Sequence, residues 1–101
     1  MNAASYKIMQ SIMCNVCKYL GISKITICGK SRERDAVMAR IIFAHMARAW
    51  NVTLIDIGKQ INRHHASVIR YLRDYDDNYK YDKYFQNAVD AVVNHKLLRD
   101  S

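Results

Sequence analysis

Two short stretches carry side chains whose types and spacing could do chemistry on a polyanion. Residues 63–67 read Arg63-His64-His65-Ala66-Ser67, with Arg70 and Arg73 one and two turns further along. Residues 30–34 read Lys30-Ser31-Arg32-Glu33-Arg34. Short polar residues at the start of a helix can reach base edges in a major groove, while flanking cations meet phosphates. His64, His65 and Ser67 suit the first role. Lys30, Arg32, Arg34, Arg63, Arg70 and Arg73 suit the second, with Lys59 and Arg40 behind them. None of the three polar residues is strongly bidentate, so direct base readout through them is expected to be weak. Five or six phosphate contacts would make log K fall with log salt at a slope of about −5.

These side chains need a scaffold, and residues 53–72, TLIDIGKQINRHHASVIRYL, supply one. They read as two short helices joined by a tight turn. Leu54, Ile57, Ile61, Val68 and Leu72 have the spacing of buried positions. Gly58 sits where the first helix must let the second approach closely. Asn62 sits at the turn, where Asn tolerates a left-handed backbone better than most residues. Thr53 is placed to cap the first helix, with Asp56 three residues on in a variant of the capping box. The whole is a helix-turn-helix over about residues 53–75 with a recognition helix second, extending to about Asp77.

Upstream, residues 6–20 form an apolar stripe of Ile8, Met9, Ile12, Met13, Val16, Cys17 and Leu20 that Gly21 should stop. Residues 22–28 are short and β-branched, and fit either a turn of helix or an extended link. Residues 35–50 predict a second long helix, with Asp35 as cap or first-turn acid and Val37, Met38, Ile41, Ile42, Met46 and Trp50 facing the core. A last amphipathic helix over about 83–98 would bury Phe85, Ala88, Val89, Val92, Val93 and Leu97. The chain has no proline, three glycines and no run of period two. It reads as one all-α domain over residues 1–101, a compact multi-helix fold.

Bulk properties narrow the partners. The net charge is +7 and the isoelectric point is near 9.5, which favours nucleic acid among polyanions. Half of the residues are hydrophobic, enough for a core. Three cysteines, an odd and sparse count, argue against a disulfide scaffold and suit the cytoplasm. No stretch approaches the roughly 20 apolar residues that span a bilayer, and no basic start with a long apolar run marks a signal peptide. Double-stranded DNA is the expected partner, and no membrane.

With the helix order in hand, the chain resembles the C-terminal DNA-binding domain of DnaA-type chromosomal replication initiators. Residues 30–48, KSRERDAVMARIIFAHMAR, are similar to that family's basic loop and following helix, where a K-x-R-x-R run precedes an Ala-Arg pair. Residues 53–68, TLIDIGKQINRHHASV, are similar to its S/T-L-x-x-I-G segment and Arg-Asp-His-Thr-Thr-Val signature. The resemblance spans about residues 8–75 and implies a DnaA C-terminal or Trp-repressor-like fold. It implies that Arg32 enters the minor groove with Lys30 and Arg34 on the backbone beside it. It implies a backbone or base contact for Arg40, and major-groove contacts for His65 and Ser67. Two positions depart from the signature: its aspartate is His64 here, and its first threonine is Ala66. A carboxylate can accept from cytosine N4, whereas imidazole donates or accepts once, and Ala66 keeps only a methyl for thymine. A different or looser sequence preference is therefore expected. No G-x-x-x-x-G-K-[ST] phosphate loop occurs, so neither nucleotide nor cofactor is expected. The implied task is replication control or transcriptional regulation by a free-standing module, such as a bacteriophage or mobile element would encode.

Blander readings compete. Arg70 and Arg73 could form a solvated face paired with Asp74 and Asp77. The 30–34 run could be a plain surface loop, and His64 and His65 simple first-turn polar residues. Cys14-x-x-Cys17 shares a helix face but lacks a second ligand pair, so thiols buried on an apolar stripe are the better reading. His45, His64, His65 and His95 are scattered, and no nucleophile, acid–base pair or metal set suggests an enzyme. Tyrosines 71, 75, 79, 81 and 84 recur at helical spacing among aspartates; they could pack on the last helix or offer segment 71–84 to another protein. The chain could thus be a protein-interaction module on the same fold, such as a phage inhibitor or a virion component, or a nonspecific cationic coat for nucleic acid.

Overall fold

The apolar stripe of the first eighteen-residue helix, α1 (Ala3–Leu20), buries Met9, Ile12, Met13 and Val16, which pair at separations of three and four along one face. Gly21, at φ +65°, takes the left-handed turn that ends it. These observations come from a computed structural model that describes residues 3–100, with side chains described as far as Val93. The undecided stretch 22–28 is a short helix, α2 (Lys24–Cys28). Ser23 makes so short a helix possible: its Oγ accepts from the Thr26 amide at 3.1 Å.

The longest core contribution comes from α3 (Arg34–Ala49). Ala36, Ala39, Phe43, Ala44 and Ala47 are fully buried, with Ile41, Ile42 and Met38 around them. The small alanines let α1 and α5 lie close on either side of α3. Asp35 is a first-turn acid, beside the N-cap Glu33. Trp50, expected in the core, is 53% exposed. The chain leaves the helix at Asn51, in a left-handed conformation at φ 63°, and sends Val52 inward instead.

The helix-turn-helix is α4 (Leu54–Ile61) followed by α5 (His65–Tyr81). Thr53 caps α4 by accepting from the Asp56 amide at 3.2 Å. Asn62 adopts the left-handed conformation expected at the turn (φ 57°, ψ 48°). Gly58 is buried, and a methyl group there would collide with the Arg63 carbonyl. The turn backbone at Arg63 therefore packs on α4 at a separation that only glycine allows.

The recognition helix runs one turn beyond Asp77, to Tyr81. Asp82 then separates it from α6 (Lys83–Asp100). The Asp82 carboxylate accepts from the amides of Tyr84 (3.0 Å) and Phe85 (3.3 Å), so it starts the last helix as a cap. Phe85, Ala88, Val89 and Val92 are buried as expected, and α6 lies against α1 and α5. Leu97, also expected in the core, and His95 lie outside the residues whose side chains are described. The tyrosine face is real but uneven. Tyr71 is buried, Tyr75 packs edge-on against Phe85, and Tyr81 is 76% exposed. Cys14 is exposed, so the buried-thiol reading does not hold for it. Cys17 is half-buried, and burial raises its thiol pKa above the ordinary value. Among the described residues no helix is long and apolar enough to cross a membrane.

Candidate nucleic-acid interface

The site is built around Arg40. Its position follows from helical phase: Ala36, Arg40, Phe43 and Ala47 share the inner face of α3. Its side chain is only 3% exposed. A buried guanidinium is tolerable only when its donors are matched, and here they are. Nε donates to the Ile27 carbonyl at 2.7 Å, Nη1 to Ser31 at 2.7 Å, and Nη2 to Thr26 at 3.0 Å and Gly29 at 3.1 Å. Thr26 and Ile27 lie in the last turn of α2, so Arg40 supplies donors to the carbonyl end of that helix, joining the Gly29 amide on Thr26. Ser31 and Gly29 belong to the basic loop, so the same group fixes the loop's path.

Arg63, at the turn of the helix-turn-helix, reaches the same loop. Its backbone amide donates to Gly58 at 2.8 Å. Its guanidinium donates to the carbonyls of Ile61 (3.3 Å) and Asn62 (3.0 Å), and to Gly29. Further ties reach α4 at Gln60: Cys28 Sγ of α2 donates to its carbonyl at 3.1 Å, and Gln10 of α1 donates to its side-chain oxygen at 3.2 Å. The basic loop and the recognition helix are thus parts of one braced surface. Burial first, then the like charge of Arg63, pushes the Arg40 guanidinium pKa below its ordinary value. An anion near this pair would relieve that repulsion.

Between loop and helix lies a cleft of about 650 Å³. Lys30, Ser31 and Arg32 line it from the loop, Val37 and Arg40 from α3, and Arg63, Arg70 and Tyr71 from the turn and α5. Five cations face one concavity, and no carboxylate lines it. Lys30, Arg32 and Arg70 are exposed and available. Arg32 and Arg63, both expected to lie along phosphates, line this one cleft.

Other expected site residues sit elsewhere. Arg40 was expected to contact DNA; in the structure all three of its guanidinium nitrogens donate to backbone carbonyls inside the protein. Arg34 was expected to flank Arg32 on the phosphates; it stands at the start of α3, stacked 3.7 Å over the Tyr84 ring of α6. The Tyr84 hydroxyl in turn donates to Asp35 at 2.7 Å. Arg73 is exposed on α5 but does not line the cleft.

His64, His65 and Ser67 open α5. His64 is its N-cap, and its Nδ1 accepts from the Ala66 amide at 3.1 Å. That bond requires the proton on Nε2, leaving Nε2 as a donor toward solvent. The imidazole thus supplies the acceptor that a carboxylate would supply at this position. Its neighbour His65 is exposed with its ring 4.2 Å away, and Ser67 is half-buried. Among the described residues no group of three or more His, Cys, Asp or Glu could hold a metal ion.

The helix phase of α3 could have revealed the inward direction of Arg40 from the sequence. The stacking of Arg34 on Tyr84 had no such signal, because it joins residues fifty positions apart in different helices.

A comparison with protein families matches residues 9–74 to the family described as bacterial DnaA protein helix-turn-helix. The matched segment contains the basic loop, the whole of α4 and the first part of α5, while α6 lies beyond it. No curated protein matches the chain.

Proposed function

The chain belongs to the bacterial DnaA helix-turn-helix family and so carries a DNA-binding domain, and on that premise we propose that it binds double-stranded DNA with sequence preference, in replication control or transcriptional regulation. One observation supports this reading most: the basic loop and the recognition helix open onto a single cationic concavity lined by Lys30, Arg32, Arg63 and Arg70. A duplex engages such a surface by laying α5 in the major groove while the loop follows the adjacent backbone and Arg32 reaches the minor groove. Arg73 extends the cationic edge along the helix. His65 and Ser67 stand where base edges would pass, and His64 keeps Nε2–H free to donate while its Nδ1 caps the helix.

Binding to random and selected duplexes, measured by electrophoretic shift at two salt concentrations, tests the proposal. We expect binding at low salt, weaker binding at high salt, and tighter binding to a selected duplex than to random sequence. No shift of any duplex at low salt refutes DNA binding. Equal affinity for all duplexes leaves only a nonspecific cationic coat.

The exposed aromatic residues favour a second reading, a protein-interaction module. Trp50 is 53% exposed and Tyr81 76%, and both lie away from the cationic cleft. Replacing Arg32 and Arg70 by Ala separates the readings. DNA binding should collapse, while a protein partner held at Trp50 and Tyr81 should be retained.

A further inference from the structure

We propose that Ile69, with Ala66 one turn before it, is a specificity-determining contact that reads thymine C5-methyl groups in the major groove. The inference rests on the DNA-binding proposal above and adds a chemistry that it lacks.

Position on the helix carries the argument. Val68 and Tyr71 turn inward, with Leu72 and Tyr75 half-buried on the same side. The opposite face presents His65, Ala66, Ile69, Arg70 and Arg73, all exposed. Ile69 is 48% exposed, a large apolar side chain left in water in the middle of that face. A single exposed isoleucine would need no explanation elsewhere. Here it stands between two arginines and two histidines, on the helix that meets the duplex. Ala66 and Ile69 are three residues apart, so they form one contiguous apolar strip.

Charge and chemistry narrow the occupant. Arg70 lines the cationic cleft with Lys30, Arg32 and Arg63, so whatever covers Ile69 must also be anionic nearby. A duplex meets that condition, and the thymine methyl is its apolar group in the major groove. The polar residues of this helix are poor discriminators: His64 spends one nitrogen on its own helix, and His65 and Ser67 offer single hydrogen bonds. Apolar complementarity is then the readout with most leverage, and the selected duplex should carry thymines where α5 lies.

Deoxyuridine deletes the methyl and nothing else. A duplex is first selected from random sequences with the full chain, and each thymine is then replaced singly by deoxyuridine. At one or more positions wild-type binding should weaken by about fourfold, the value of one buried methyl. Ile69→Ala should bind the thymine duplex several-fold more weakly and should no longer distinguish thymine from deoxyuridine at one of those positions. Ile69→Val, which keeps an apolar branch, should retain most of the discrimination. Because Ile69 is exposed, Ile69→Ala should melt within a few degrees of wild type, and matched melting curves show that folding is unaffected. Full thymine discrimination in Ile69→Ala, or wild-type indifference to deoxyuridine at every position, overturns this inference while leaving DNA binding intact. Absence of any bound duplex overturns both.

Discussion

The guanidinium groups of Arg40 and Arg63 converge on one acceptor, the carbonyl oxygen of Gly29. One arginine comes from the buried face of α3, the other from the turn between α4 and α5. Their shared acceptor begins the basic loop. The spatial relation between loop and recognition helix is therefore set by hydrogen bonds to charged donors, which are stronger than neutral ones.

Arg40→Ala should destabilise the domain by about 3 kcal/mol, because four carbonyls lose a charged donor and part of them stays shielded from water. Thermal denaturation measures the loss. Arg40→Lys should recover little, since one ammonium cannot span acceptors arranged around a planar fork. A melting temperature unchanged by Arg40→Ala would show that the loop is held by something else.

Gly58→Ala should lower stability by about 2 kcal/mol despite the better helix propensity of alanine. The added methyl meets backbone, the Arg63 carbonyl, which cannot swing aside as a side chain would. The turn must open, so DNA affinity should fall together with the melting temperature. A variant that is more stable than wild type would contradict the close packing of the turn at Arg63 on α4.

The cap at the start of α5 predicts opposite outcomes for two replacements. His64→Ala should cost about 1 kcal/mol through loss of the acceptor for the Ala66 amide. His64→Asp should be at least as stable as wild type, because a carboxylate accepts the same bond and favours the positive end of the helix. Chemical denaturation of the three proteins ranks them directly.

Salt dependence reports which cations meet phosphate. With Arg40 and Arg63 donating to backbone carbonyls and Arg34 stacked on Tyr84, the available groups are exposed Lys30, Arg32, Arg70 and Arg73. The slope of log K against log salt should then be about −4, and Arg32→Ala or Arg70→Ala should each reduce its size by about 1. Arg34→Ala should leave the slope unchanged. A slope that drops by a full unit in Arg34→Ala would mean that Tyr84 releases this side chain to the duplex.

His45 supplies the pH dependence. Its ring lies parallel to Tyr75 with centroids 3.5 Å apart, and burial lowers its pKa below the ordinary value, with Asp76 pulling the other way. The folded state therefore binds the proton less well than the unfolded chain. Stability from this group is complete above about pH 6.5, the ordinary imidazole value, and falls as pH drops from there toward the lowered folded value. His45→Phe keeps a stacked ring and removes the titration. The stability difference between wild type and His45→Phe should thus shift against wild type below about pH 6.5, whereas a constant difference from pH 8 to 5 would exclude His45 as its source.

Periodicity, breakers and caps determined the local structure of this protein. The apolar spacing of α1, the Thr53 cap, the left-handed Asn62 and the close approach at Gly58 all follow from residue type and short-range sterics. So does the family signature in residues 30–68, which is a linear pattern. Tertiary structure alone decided the fate of the cations. Arg32 and Arg40 look equivalent in a composition, yet one faces solvent and the other donates to four backbone carbonyls. Arg34 was drawn off by a tyrosine fifty residues away. Trp50 was left outside because the chain turned at Asn51 and sent Val52 inward. Hydrophobic pattern and capping act over one or two turns and can be read along the chain. A guanidinium on a flexible stem settles wherever folding brings acceptors or a ring within reach, and that depends on which helices meet.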